Sequence, residues 1–270
     1  MLPDLQGAPC RLCHSPTRWT HTSRLLGHVD VDYFVCEVCG FWCTEEPYWL
    51  EEAYSEALGA LDTGLMARNL WVRDQLCGLL DHLPGSGPYV DWAGGYGVLV
   101  RLMRDEGFDF YWQDQYAPNL FARGFEWTPD NAPVVPASAV TAVEVLEHVP
   151  DPVAFLDLIV SETRTPTVII TQVLYPASRE LDWWYFAVDG GQHISFYTHT
   201  TLQVLAQRLG MQVQAYRGLF LFTKHPVRLP VAGPFLERVR NRISKVARRR
   251  AHPTLKQSDH EFMIRKARES

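Results

Sequence analysis

The stretch "YVDWAGGYGVLV", residues 89–100, decides the fold. An apolar run of strand character breaks into glycines and resumes as an apolar run of helix character. This strand–turn–helix step is the unit from which α/β sheets are wound. A dinucleotide-binding turn would read G-x-G-x-x-G, so that backbone amides and a helix N-terminus approach a pyrophosphate. Here Gly95 and Gly97 are followed by Val100 where the third glycine would stand, and Asp91 puts a carboxylate at the strand end. A carboxylate there repels phosphate and suits a ligand carrying an ammonium and a sulfonium. Asp114, in "FYWQDQY", lies 17 residues beyond Gly97 at the end of the next expected strand, where it can accept both hydroxyls of a ribose. Together these residues point to a phosphate-free nucleoside with a cationic amino-acid arm, S-adenosylmethionine. The competing reading is a glycine turn that holds no ligand.

Outward from this turn, strand and helix signals alternate. Strands are expected near 88–92, 109–113, 139–144 and 166–173, with helices near 97–107, 117–122 and 151–162. That alternation predicts a parallel sheet covered by helices. After an aromatic-rich loop (174–197), "THTTLQVLAQRLGM" predicts a helix with Thr198 or Thr200 near its start. "QVQAYRG" and "LFLFTK" follow too closely for a crossover helix and predict an antiparallel pair. Upstream, residues 48–83 carry apolar residues at helical spacing, and "PGSGP" (84–88) breaks the pattern.

The 270 residues, 47% hydrophobic and 21% charged, have the composition of a globular protein with one well-buried core and room for a small accessory module. No apolar run is long enough to span a bilayer, and "MLPDLQGAPC" lacks a basic start and an apolar core, so a cytoplasmic location is expected. The net charge of −6 conceals an asymmetry. From Lys224 onward there are 13 Lys/Arg against 4 Asp/Glu, a balance of +9, which leaves −15 on the body. The tail "FLERVRNRISKVARRR" has a basic amphipathic pattern. It suits either a solvated helix or peripheral contact with an anionic membrane.

Cys10 and Cys13 form one C-x-x-C, Cys36 and Cys39 a second, with 22 residues between the pairs. Four thiolates in two knuckles can complete a tetrahedral zinc shell and fold a segment with few apolar residues of its own. Such a shell is structural, because four cysteines leave no open position. "CRLCH" also matches a haem c attachment pattern, which requires export and leaves the second pair unexplained. Redox activity is a further alternative, although neither pair opens a helix after a strand. Cys43 and Cys77 read as buried thiols.

"VDWAGGYG", "WQDQY" and "VEVLEHVPDP" resemble successive motifs of class I S-adenosylmethionine-dependent methyltransferases, over roughly residues 50–224. The family's first motif reads D-x-G-x-G-x-G; Asp91, Gly95 and Gly97 match, and Ala93 replaces the first glycine. Alanine there is tolerated if its backbone angles are ordinary. The resemblance implies a Rossmann-like, seven-stranded, mostly parallel sheet with a reversed final hairpin. It implies donor binding by Asp91, Ala93, Gly95, Gly97, Asp114, Gln115 and Glu144. "GQHISFYTHTTL" and the region after the glycine turn further resemble methyltransferases of bacterial polysaccharide and glycan biosynthesis, which implies a small-molecule acceptor such as a sugar. The domain plan is then a zinc-knuckle module (1–45), a methyltransferase domain (46–224) and a basic tail (225–270).

Glu144, Glu147 and His148 fall where the fourth strand ends, the side on which wound sheets bind ligands. A neutral imidazole at His148 can deprotonate a hydroxyl; alternatively the Glu147–His148 pair only shapes the turn. His193 is a second candidate for acceptor binding or catalysis. Trp183, Trp184, Tyr185 and Phe186 read either as core or as a platform for a sugar ring. Two other functional classes remain: an RNA methyltransferase gripping phosphate with the knuckles and tail, against which the acidic body argues, and an inactive scaffold with Ala93 as the first sign of decay.

Overall fold

The computed structural model describes residues 7–54, 62–178, 180–229 and 253–269. The basic pattern at 235–250 and the middle of the helical lead-in, residues 55–61, lie outside them. The described residues form two sheets. Six strands form the larger one: β4 (Tyr89–Trp92), β5 (Phe110–Gln113), β6 (Ala139–Ala142), β7 (Thr167–Thr171), β9 (Gln212–Tyr216) and β10 (Leu219–Thr223). Their order is β5-β4-β6-β7-β10-β9. β4 runs parallel to β5 and β6, and β9 and β10 form the expected antiparallel hairpin. The smaller sheet, in the order β1-β2-β3-β8, comprises β1 (Arg18–Leu25), β2 (Val29–Val35), β3 (Trp42–Thr44) and β8 (Ser195–Phe196).

The chain divides into two compact units. One comprises Met1–Asp62, Ala142–Glu162 and Val168–His225, the other Thr63–Thr141, Thr163–Thr167 and Pro226–Ser270. In the first, the small sheet buries Val31, Tyr33, Val35 and Trp42 against Tyr175, Trp183, Tyr185, Phe186, Ile194 and Phe196. Three of the four residues read as a sugar platform are therefore core; only Trp184, 73% exposed, faces solvent. The seven-stranded expectation is corrected in this same region: among the described residues the large sheet has six strands. The segment after β7 gives its one strand, β8, to the small sheet, where Trp42 and Cys43 pair with Phe196 and Ser195.

In the second unit α2 (Leu65–Leu79) packs against α3 (Val98–Asp105), which follows the glycine turn directly. The helix expected at 117–122 is absent. Pro118 interrupts the segment, Leu120 and Phe121 donate their amides to the Tyr96 carbonyl (3.1 and 3.0 Å), and Asn119 Oδ1 takes the amide of Ala122 (2.9 Å). With its donors engaged elsewhere, the segment closes no helical ladder. Of the lead-in, α1 (Leu50–Ala53) and α2 are helical, and α4 (Pro152–Thr163) and α5 (His199–Arg208) fall where expected. Within the tail expected at 225–270 as basic and helical in part lies α6 (Lys256–Glu269), which is fixed by the buried Asp259 accepting from Arg104 Nε (2.8 Å), Arg104 Nη2 (2.8 Å) and Arg101 Nη2 (2.8 Å). Phe262 of α6 packs on Phe125 (5.6 Å between ring centroids). No helix among the described residues is long and apolar enough to cross a membrane.

Candidate functional site

The glycine turn is built by β4 and the start of α3. Asp91 ends up 3% exposed, its Oδ1 accepting from Thr141 Oγ1 on β6 at 2.6 Å. Oδ2 has no hydrogen-bond partner among the described residues. Burial, together with the Asp114 charge and against the Thr141 bond, pushes the Asp91 carboxyl up to about 7. A carboxylate so placed gains strongly from a cation at its open oxygen. Thr141 was legible as the polar member of the apolar strand "AVTA" but drew no notice in the sequence.

Asp114 fastens the turn. Its Oδ2 accepts the Gly95 amide (2.9 Å) and its Oδ1 accepts the amides of Tyr116 (2.7 Å) and Ala117 (2.8 Å). A carboxylate offers about four acceptor positions, so one stays open, enough for a single hydroxyl. Trp112 Nε1 donates to the Gly95 carbonyl at 2.7 Å. Gly95 has φ +54°, and a Cβ added there would meet no atom within 4 Å, so the space above it is open. Gly97, at φ +84°, caps α3 in the left-handed region, and a Cβ there would come within 2.9 Å of Ala122 Cβ. Ala93 departs from the expectation of ordinary angles: its φ is +55°. Gln115 is exposed beside Asp114. Asp91, Ala93, Gly95, Gly97, Asp114 and Gln115 thus gather in one unit, around a buried carboxyl and an open glycine turn. That donor set fits a nucleoside with a cationic arm.

In the other unit, a short 3-10 turn at Leu146–His148 places Glu147 and His148 beside His193. The two imidazoles are 4.9 Å apart, nearly perpendicular. His148 Nδ1 lies 3.1 Å from the Gln192 carbonyl and His193 Nδ1 lies 2.7 Å from the Tyr185 carbonyl. A carbonyl only accepts, so each Nδ1 is the donor in its contact, which fixes the orientation of both rings. Glu147 is fully buried, and its Oε1 accepts the Tyr185 hydroxyl at 2.8 Å. Burial, reinforced by the Glu147 and Glu144 charges, drives the Tyr185 phenol far above its usual range, so Tyr185 stays a donor. Glu144 sits at φ +53° with its Oε1 accepting from Thr171 Oγ1 (2.6 Å). The gathering of Glu147, Tyr185 and the two histidines across some 45 residues left no mark in sequence spacing.

The four cysteines converge, with one sulfur of each within 4.8 Å of the others. Cys10 and Cys39 sulfurs are 3.6 Å apart, Cys13 and Cys36 3.5 Å. These edges are close to the roughly 3.8 Å of a tetrahedron with 2.3 Å zinc–sulfur bonds, and far from a disulfide length. The hydrogen bond between Cys10 and Cys39 pulls the Cys10 thiol down and pushes the Cys39 thiol up, so within the pair Cys10 is the sulfur favoured as thiolate. Both knuckles close alike: His14 and Gly40 donate their amides to the carbonyls of Cys10 (2.9 Å) and Cys36 (2.8 Å), at φ +62° and +72°. His14 Nε2 meets Arg208 Nη2 at 3.2 Å. The α5 cap, a reciprocal Thr198–Thr201 box, is tied to the second knuckle by Thr201 Oγ1 donating to the Cys39 carbonyl (3.0 Å).

A family model described as a methyltransferase domain matches residues 68–216. No curated protein matches the sequence. Among solved structures, the chain is similar to CalO1, a methyltransferase in calicheamicin biosynthesis in its SAH-bound form: 16% identity over 67% of this chain and 60% of that one, TM-score 0.41. It is similar to human N-acetylserotonin methyltransferase in complex with SAM, at 14% identity over 66% of each chain and a TM-score of 0.39. It is also similar to RosA, a riboflavin-derivative dimethyltransferase from Streptomyces davawensis, at 15% identity over 60% of this chain and 55% of that one, TM-score 0.42. The chain therefore spans less than two thirds of the length of each.

Proposed function

This chain belongs to the methyltransferase-domain family, and from that premise we propose that it transfers a methyl group from S-adenosylmethionine to a small-molecule acceptor, a sugar or glycan intermediate. The observation that carries the reading is the arrangement around the glycine turn: a buried carboxylate with one open oxygen, a turn with free space above Gly95, and a second carboxylate that fastens the turn. Bound there, the donor supplies an already activated methyl electrophile, so the protein's part is alignment and proton removal.

In this reading Asp91 faces the cationic amino-acid arm and is held ionised by it. Asp114 accepts a ribose hydroxyl at the open position of its carboxylate while keeping the Gly95 amide in place. Ala93, Gly97 and Gln115 shape the rest of the cradle, and Glu144 completes the donor set implied by the family motif. His148 and His193 act on the acceptor, each ring held in place by the contact of its Nδ1 with a backbone carbonyl. The four cysteines hold a structural zinc ion that orders the N-terminal module.

Calorimetric titration of S-adenosylmethionine into the full chain tests the donor site, with Asp114→Ala alongside. Loss of a charged hydrogen bond together with the turn's fastening should cost about 2–4 kcal/mol, a fall in affinity of roughly 30- to 1000-fold. Equal binding by both proteins would remove Asp114 from the site, and no binding by the native chain would remove the donor itself.

A further inference from the structure

Glu147 lies beside both histidines and has no part in the donor site. We infer that Glu147, His148 and His193 form a binding site for a divalent first-row transition-metal ion that takes the acceptor's hydroxyl as an additional ligand. One ligating atom from each residue lies within 4.8 Å of the others, so closure onto an ion requires small side-chain movements only.

Three features beyond proximity support a built site. First, each ligand is held from behind. His148 and His193 give their Nδ1 protons to the carbonyls of Gln192 and Tyr185, and Glu147 Oε1 receives the Tyr185 hydroxyl. Metal-ligating imidazoles and carboxylates characteristically have such outer partners, which fix the tautomer and aim the lone pair. Second, burial is graded: Glu147 is fully enclosed, whereas both histidines are half-buried. Exposure thus falls on the imidazoles, so a further ligand reaches the cluster from their side. Third, the supports are rigid. Tyr185 is in the aromatic core, and the backbone is pinned by Ile194 N donating to the Glu147 carbonyl (2.8 Å) and Tyr197 Oη donating to the Leu146 carbonyl (3.0 Å). Gln192 is itself anchored by Nε2 donating to the Ala53 carbonyl (2.7 Å).

Two imidazoles and one carboxylate suit manganese, iron, cobalt or zinc better than magnesium or calcium, which prefer all-oxygen shells. Three protein ligands also leave coordination positions open, unlike the four-cysteine cluster. An alcohol on such an ion loses its proton to water far more readily than a free alcohol. The oxygen's electron pair then forms the C–O bond as the S–CH3 bond breaks, its pair returning to sulfur to leave a neutral thioether. A vicinal diol, as on a sugar, would chelate through two oxygens. This assignment rests on the methyl-transfer reading for the acceptor's role, but the metal site itself does not.

The test is Mn2+ titration of the full chain followed by electron paramagnetic resonance, a probe ion that thiolates bind poorly. One Mn2+ per chain is expected for the native protein, weakened 10- to 100-fold or more in His193→Ala and in Glu147→Gln, the second of which keeps the shape and the Tyr185 contact. S-adenosylmethionine binding, measured in parallel, should be unchanged in both variants, which also reports that they are folded. Absence of saturable Mn2+ binding in the native chain, or native affinity in both variants, overturns the assignment while leaving the methyl-transfer reading intact. Mn2+ binding lost in the variants, in a chain that fails to bind S-adenosylmethionine, supports the metal site and removes only the acceptor role given to it.

Discussion

At the scale of single residues, the glycine turn carries both strain and a titratable charge. Ala93 at φ +55° pays the left-handed penalty of about 1–2 kcal/mol, partly offset by the lower entropy of alanine in the unfolded chain. Ala93→Gly should therefore raise stability by up to about 1 kcal/mol, measured by urea unfolding; a loss would mean that the methyl group makes compensating contacts. Gly95→Ala should affect ligand more than fold, because its Cβ would enter the open space rather than the core. The expected outcome is weakened S-adenosylmethionine binding with about 1 kcal/mol lost in stability. Asp91 gives a pH dependence with a definite sign. Its carboxyl rises from 3.8 to about 7 on folding, so between about pH 4 and pH 7 the folded chain retains a proton that the unfolded chain has released. Stability falls as pH rises through that window. Going from pH 5 to pH 8, Asp91 should account for about 2–3 kcal/mol of that loss, which Asp91→Asn should abolish in denaturant titrations at the two pH values. The motif spacing made these residues findable. The sign of φ at Ala93 was not, since an alanine by itself favours the right-handed region and only the path of the turn forces it out.

At the scale of elements, strands and helices with a full period of pattern were legible, and short or long-range elements were not. The parallel β4, β5 and β6 and the β9–β10 hairpin fall where apolar runs and turn residues placed them. β8 has two residues, too few to show a period, and forms because β3 presents an open edge to it. α6 is held by an ion network between residues more than 150 positions apart. Arg104, 5% exposed, is satisfied by Asp259 and by Asp109 (Nη1–Oδ1 2.6 Å), and its guanidinium stacks on Phe125 at 3.7 Å. Asp259→Ala would strand much of that buried charge and should cost about 3 kcal/mol. The accompanying sign is loss of amide-exchange protection over Lys256–Glu269 with α3 still protected. Retained protection in α6 would show that Phe262 and Met263 hold the helix without the ions.

At the scale of the molecule, the N-terminal knuckles are continuous with the fold that follows them: the small sheet takes β8 from beyond α4, and the α5 cap bonds the second knuckle. Removing the zinc ion proposed for the cysteines should therefore disturb more than residues 1–45. Chelation at neutral pH is expected to release one zinc per chain and to lower the thermal midpoint by well over 10 °C, on the scale of structural zinc binding energies. An unchanged midpoint would separate the cysteine cluster from the stability of the unit. What the sequence determined by itself is whatever repeats locally: the alternation of strand and helix, the glycine turn with its two carboxylates, and the paired knuckles, because each is set by neighbours within a few residues. Only the tertiary structure decided that three of the four clustered aromatics are core, that six strands of the described residues form the large sheet, and that Glu147, His148, Tyr185 and His193 meet. Such contacts depend on which distant surfaces bury one another, and burial between segments leaves no periodic trace in the order of residues.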